Sequence, residues 1–215
     1  MRQRLRTLLD SLIEPWFPTS CVRCGDVGGS PCRSCREDLS PAHVLGEIPQ
    51  LDDVVALVAY DDVSRLFIAD LKFHGRWSTV RALAPALAVL LDETVGTDRP
   101  GPLLTWAPTT PDRARQRGFD QAEVLARALA SHSGRPVRRL LDRRPGLHQT
   151  GRTRQERSRG VQFDPRGPLA GAIVVVDDVL TTGATLSAAG HALRRGGASA
   201  VVGLSLAATP EHSKD

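Results

Sequence analysis

The chain has 215 residues, 41% of them hydrophobic and 4% aromatic, with a formal net charge of +4. That length suits one full α/β domain plus a small appendage. So few aromatics count against a stacking platform for single-stranded nucleic acid, and without a run of eighteen apolar residues nothing is expected to insert into a membrane.

The positive charge is local. Residues 112–166 hold fourteen Arg against six acidic residues, and Lys72 and Lys214 are the lysines of the whole chain. A preference for Arg explains the choice of cation but not the clustering. Two readings stay open: a basic face for phosphate or nucleic acid, or a solvated surface.

In chain order, residues 1–15 predict an amphipathic helix with Leu5, Leu8, Leu9, Leu12 and Ile13 on one face, ended by Pro15. Arg2, Arg4 and Arg6 before Leu8-Leu9 faintly suggest a signal peptide. Asp10 and Glu14 interrupt the apolar region and no small-residue cleavage site follows, so the expected location is cytoplasmic.

After Trp16-Phe17-Pro18 come Cys21, Cys24, Cys32 and Cys35, in the order C-x2-C-x7-C-x2-C. Two such knuckles supply four thiolates to a tetrahedral Zn²⁺. The alternatives are a pair of disulfides or a redox C-x-x-C. Neither a secretory signal nor a flanking βαβ pattern speaks for them. A closed structural zinc site is expected, in a module spanning 1–45, with a linker at 41–49 and the main domain at 50–215.

Residues 54–60 predict a strand. Residues 61–74 predict a helix with Val63, Leu66, Phe67 and Leu71 on one face, stopped at Gly75. Residues 79–92 predict a helix that Pro85 should kink or divide. Residues 103–107 predict a second strand, leading into Pro108-Thr109-Thr110-Pro111. Arg113, Arg115 and Arg117 then alternate, which in a loop gathers guanidiniums around one space. Asp120 and Glu123 predict a capping box for a helix to about His132. Residues 140–167 show little apolar periodicity and read as a functional loop or a disordered one. His148 within it is either a proton shuttle or a solvated loop histidine.

Residues 172–187 are the most informative stretch. Residues 173–176, Ile-Val-Val-Val, suit a strand buried on both faces. Asp177 and Asp178 stand where such a strand ends. Thr181, Thr182, Gly183, Ala184 and Thr185 form a small-residue loop into a helix over 186–195, closed by Gly196-Gly197. Helix N-terminal N–H groups favour anions, Gly183 allows a close backbone approach, and the Thr hydroxyls donate further bonds. Two carboxylates repel phosphate but accept from a ribose diol. Residues 199–207 predict a last buried strand, followed by a frayed polar tail from Pro210.

This stretch resembles the phosphoribosyl pyrophosphate (PRPP) loop of type I phosphoribosyltransferases. With Phe17-Pro18 before the cysteines, Leu71-Lys72-Phe73-His74-Gly75, residues 108–113, Arg117-Gly118-Phe119-Asp120-Gln121, and Gln149 with Arg157, nearly the whole chain resembles the ComF family. The chain has Asp120 and Gly160 where that family usually has Asn, and Ala107-Pro108 where it has Val-Pro.

The resemblance implies an α/β, type I phosphoribosyltransferase-like fold: a mainly parallel sheet with flanking helices and a small hood. It implies a pyrophosphate loop including Pro108, Thr109 and Arg113, and a mobile flap over 148–160. Asp177, Asp178, Arg117 and Lys72 are then the candidate catalytic residues, and Arg113, Arg117 and Lys72 would hold the departing pyrophosphate. Mg²⁺ would accompany PRPP. No residue reads as a general base, and the acceptor has no signature. Three functions compete: a phosphoribosyltransferase, in the glycosyltransferase class, with an unidentified nitrogen acceptor; a PRPP-binding factor in DNA uptake or repair that contacts single-stranded DNA or a helicase partner; and a metal-stabilised sugar-phosphate sensor.

Overall fold

The computed structural model describes residues 20–42, 47–74, 77–98, 101–144 and 160–209. The N-terminal helix, Phe17-Pro18, Gly75, the flap residues His148, Gln149 and Arg157, and the tail lie outside the described residues.

The elements in order are α1 (Arg33–Glu37), β1 (Asp53–Ala59), α2 (Asp62–His74), α3 (Ser78–Val95), β2 (Leu103–Trp106), α4 (Pro111–Arg117), α5 (Gln121–Ser133), β3 (Leu141–Arg143), β4 (Phe163–Pro165), β5 (Ala172–Leu180), α6 (Ala184–Gly196) and β6 (Ala200–Ala208). The main sheet has the order β1-β6-β5-β2, with every neighbouring pair parallel. β3 and β4 form a separate antiparallel pair.

Helices cover both faces. Ile68 and Leu71 of α2, Val80 to Leu91 of α3 and Leu125 and Leu129 of α5 pack with Val174, Val176 and Leu204 on one side. Leu186, Ala189 and Leu193 of α6 pack with Ile173, Val175 and Val201 on the other, joined by Leu141 and Phe163 of the hairpin. A strand so covered can be apolar throughout, and Ile173 to Val176 are at most 1% exposed. The fold class is the expected one: a mainly parallel sheet with flanking helices and a four-cysteine cluster near the N-terminal end.

Three local expectations change. Pro85 does not divide its helix: α3 runs unbroken from Ser78 to Val95. Thr79, Leu83, Leu87 and Leu91 form one buried stripe across it, while Pro85 itself is exposed. Core packing along that stripe offsets the ~3 kcal/mol that an interior proline costs. The residues around 140–167 are not all loop, because Leu141–Arg143 pairs with Phe163–Pro165. Leu141 and Phe163 anchor that hairpin in the core, two apolar positions too far apart in sequence to show a period. The 41–49 linker is also partly structured. Pro41 bridges to Val58, and the Ala59 N–H donates to Ser40 O at 2.9 Å, so the chain covers the open edge of β1.

The crevice follows from this topology. β2 and β5 are adjacent and parallel, yet the chain leaves β2 for α5 on one face and leaves β5 for α6 on the other. Their C-terminal ends therefore diverge, the place where open α/β sheets accept ligands.

Candidate functional site

β5 does not end at Val176. Its pairing with β6 continues through Asp177↔Ser205, Val179↔Ala207 and Leu180↔Ala208, so both acids lie inside the strand rather than after it. The in-and-out alternation breaks across them. Val174, Val176 and Val179 all pack into the same core cluster, although an unbroken period of two would turn Val179 the other way.

The two carboxylates have different surroundings. Asp178 Oδ2 lies 3.0 Å from Lys72 Nζ, in a pair whose side chains are 18% and 22% exposed. Lys72 comes from the last turn of α2, directly after Leu71, which is fully buried and fixes that turn against the sheet. Asp177 accepts from the Asp178 N–H at 2.9 Å. Burial first, then the adjacent Asp178 charge, push the Asp177 carboxyl up to about 8, against the opposing pull of that N–H and of Lys72.

After Leu180 the chain turns through exposed Thr181 and Thr182 to Gly183, whose φ of 73° is the left-handed conformation. Gly183 is also the N-cap of α6 and supplies no side-chain acceptor. A Cβ there would stand 2.8 Å from Ile48 Cδ1, so the segment leading to β1 closes the back of this loop. Ala184 opens the helix, exposed, and Thr185 is half-buried beside it.

On the β2 side, Asp120 organises the loop. One oxygen caps α5, accepting from the Ala122 and Glu123 N–H groups at 3.1 and 3.4 Å; the other accepts from the Thr109 N–H at 2.8 Å. Burial raises the Asp120 pKa, against those hydrogen bonds. Glu123 does not complete a capping box; it pairs with Arg127 at 2.8 Å.

The alternating arginines lie not in a loop but on α4, capped by Thr110, whose hydroxyl accepts from the Arg113 N–H at 3.3 Å. On a helix, residues two apart diverge and residues four apart share a face. Arg113 and Arg117 therefore stay together, whereas Arg115 turns aside to pair with Asp112.

Arg143 did not stand out in the sequence. Its Nη1 donates to Pro108 O at 3.1 Å, and its guanidinium lies 5.6 Å from the ring centre of Phe163, its cross-strand partner. Burial, then the Arg113 charge, lower its pKa, while Asp177 and Asp120 raise it. Arg144, just past the strand, binds both oxygens of Asp164 at 2.7 and 2.5 Å. One of fourteen arginines in an Arg-rich stretch gives no sequence signal; only the pairing with Phe163 singles it out.

The four cysteines are brought together. Their sulfurs lie within 4.8 Å of one another, with Cys24 and Cys32 Sγ at 3.5 Å. Bonds of 2.3 Å to a tetrahedral Zn²⁺ set sulfurs roughly 3.8 Å apart, so the donor set fits that ion. The first knuckle is turned by Gly25, φ 79°, with the Cys21 N–H donating to Asp26 O at 2.7 Å. Burial pushes the Cys21 thiol up, but the backbone N–H groups of Cys24, Cys32 and Arg23 outweigh it and bring it to about 6. Cys21 and Cys35 pack on Phe67 of α2, so the module rests on the helix that carries Lys72.

Two curated proteins named DNA utilization protein YhgH, from Salmonella typhi and from Salmonella typhimurium strain LT2, are each 27% identical to this chain over 190 residues, covering 84% of it and 80% of the relative. The resemblance to the ComF family stands. No family profile matches this chain. Similar solved structures include one titled as the allosteric regulatory enzyme of purine biosynthesis, at 17% identity and TM-score 0.42, covering 64% of this chain and 30% of that one. Another is orotate phosphoribosyltransferase from Aeropyrum pernix, at 23% identity and TM-score 0.34, covering 71% and 67%.

Of the candidate residues, Lys72 and Asp178 are in direct contact, and Asp177 adjoins them. Pro108, Thr109 and Arg113 follow the neighbouring strand β2, and Thr181 to Thr185 follow β5. Arg117 lies one turn beyond Arg113 at the end of α4. The cysteines form a separate cluster packed on Phe67 of α2.

Proposed function

We propose that this chain binds PRPP and transfers its phosphoribosyl group to a nitrogen acceptor, releasing pyrophosphate. The observation that carries this reading is the junction of β5 and α6. A carboxylate pair sits at the sheet's divergent edge, followed by an uncapped helix start on a left-handed glycine. The N–H groups of α6 and the hydroxyls of Thr181, Thr182 and Thr185 bind the 5′-phosphate. Asp177 and Asp178 accept from the ribose 2′- and 3′-hydroxyls. Mg²⁺ arrives as part of the substrate, on the pyrophosphate and ribose oxygens. Pro108, Thr109, Arg113 and Arg117 take the pyrophosphate side, and Lys72 holds Asp178 charged and oriented.

In the reaction the bond from the anomeric carbon to pyrophosphate oxygen breaks and its electron pair leaves with pyrophosphate. The nitrogen lone pair forms the new bond and the nitrogen sheds its proton to solvent. The transition state separates charge, so the chain's task is electrostatic. Residues 1–45 serve in this reading as a zinc-binding module and 50–215 as the transferase domain, in the cytoplasm.

Titration with Mg²⁺ and PRPP, followed by assay of pyrophosphate release with a panel of nucleobases and amines, tests it. Binding with acceptor-dependent release is expected. Absence of PRPP binding overturns the site.

The relatives' name favours a second reading, in which PRPP binding serves a role in DNA use without transfer. PRPP binding without release with any acceptor, together with salt-dependent binding of single-stranded DNA or a helicase, would select it. Among the described residues no helix is long and apolar enough to cross a membrane.

A further inference from the structure

Arg143 has surroundings that its hydrogen bonding leaves unexplained. Its guanidinium is half-buried, one face covered by the Phe163 ring at 5.6 Å, and Nη1 is committed to Pro108 O at 3.1 Å. The Arg113 charge is close enough to disfavour its protonated form. Among the described residues no salt bridge joins Arg143 to a carboxylate, and burial raises the proton affinity of the nearest acids, Asp177 and Asp120. A partly desolvated cation beside a second cation is costly unless an anion comes between them. Neither arginine can relieve the repulsion by losing its proton.

We propose that Arg143 is a phosphate ligand, and that Arg143 and Arg113 together grip the pyrophosphate group of PRPP. This rests on the PRPP reading and adds to it a residue from outside the β2 loop. Arg143 closes β3, so it brings a cation from the hairpin to the loop that begins at Pro108. The Phe163 ring packs beside the guanidinium, and the planar fork can offer two parallel N–H groups to phosphate oxygens. Its charge offsets the charge gained by pyrophosphate as it leaves; it takes and gives no proton.

Pyrophosphate, PRPP and ribose 5-phosphate are the probes, each titrated by calorimetry into the whole chain. Replacing Arg143 by Ala is expected to weaken pyrophosphate and PRPP binding by about 10–100-fold and ribose 5-phosphate by less than about twofold. R143K should recover part of the loss, and it serves in place of R143A if the latter fails to fold. R143Q keeps an N–H donor for Pro108 but not the charge. Pyrophosphate affinity in R143Q as low as in R143A supports a ligand role; wild-type affinity in R143Q reduces Arg143 to a brace for the loop and overturns the proposal. Equal pyrophosphate affinity in wild type and R143A overturns it too, leaving the PRPP reading intact. A wild-type chain that binds none of the probes overturns the PRPP reading itself.

Discussion

Lys72 Nζ and Asp178 Oδ2, 106 positions apart in the chain, lie 3.0 Å apart and tie the last turn of α2 to the C-terminal end of β5. Both side chains are largely covered, so salt screens the pair less than a surface bridge. Lys72→Met removes the charge and keeps most of the stem. A loss of about 1–3 kcal/mol is expected, between the values for exposed and buried pairs whose partner is removed. Urea unfolding at two salt concentrations measures it, and PRPP affinity should fall in the folded variant. An unchanged unfolding midpoint would mean the pair contributes nothing to the fold.

Asp177 makes stability depend on pH. Its folded pKa of about 8 lies above the ordinary 3.8, so the folded chain holds this proton more tightly than the unfolded one. The stabilisation is complete below about pH 4 and is lost as pH rises towards 8. Asp177→Asn should be isosteric and free of this dependence. Its stability relative to wild type should rise steadily from about pH 5 to pH 8, as read by urea midpoints across that range. A constant difference would return Asp177 to an ordinary carboxylate.

The cysteine cluster predicts one zinc per chain in elemental analysis. Because Cys21 and Cys35 rest on Phe67, removing the metal should loosen α2 as well as the module. A strong chelator is expected to lower the unfolding temperature and weaken PRPP binding together, through Lys72. Visible absorption of an iron–sulfur cluster would replace zinc with another metal centre.

Gly190 tests the packing of α6 against the segment before β1. A Cβ at this position of α6 would lie 2.8 Å from both Gln50 O and Leu51 Cδ2. The Gln50 backbone has little room to retreat. It already holds φ at 75°, and the next residue but one, Asp52, is pinned by Arg194 at 2.5 Å and the Val201 N–H at 2.6 Å. Gly190→Ala should cost about 1–3 kcal/mol by overpacking, measured by denaturant unfolding. Its PRPP affinity, measured on folded protein, should stay at the wild-type value.

The layout of the β5–α6 junction was legible because it is local. An apolar run, two acids, a glycine and a helix start are consecutive, and each acts through its own backbone geometry. The cysteine cluster was legible for the same reason, four cysteines at short spacing. The length of β5 was not, because Asp177 reads as a strand end and only the neighbouring strand β6 keeps it in the sheet. The helix that carries Arg113, Arg115 and Arg117 was not legible either, because its segment has no apolar face and owes its two turns to Thr110 capping and the glycine at 118, φ 79°.

By itself, then, the sequence determined the order of the four main-sheet strands along the chain, the acidic pair, the glycine loop and the cysteine spacing. Each depends on residues within a few positions of one another. Tertiary structure alone decided which distant groups meet: Lys72 with Asp178, Asp120 with the Thr109 N–H, and Arg143 with the Pro108 carbonyl. Those meetings depend on the strand order β1-β6-β5-β2, which brings the ends of β2 and β5 side by side. Strand order is set by the burial of whole faces, a sum over many apolar side chains, and no single residue records it.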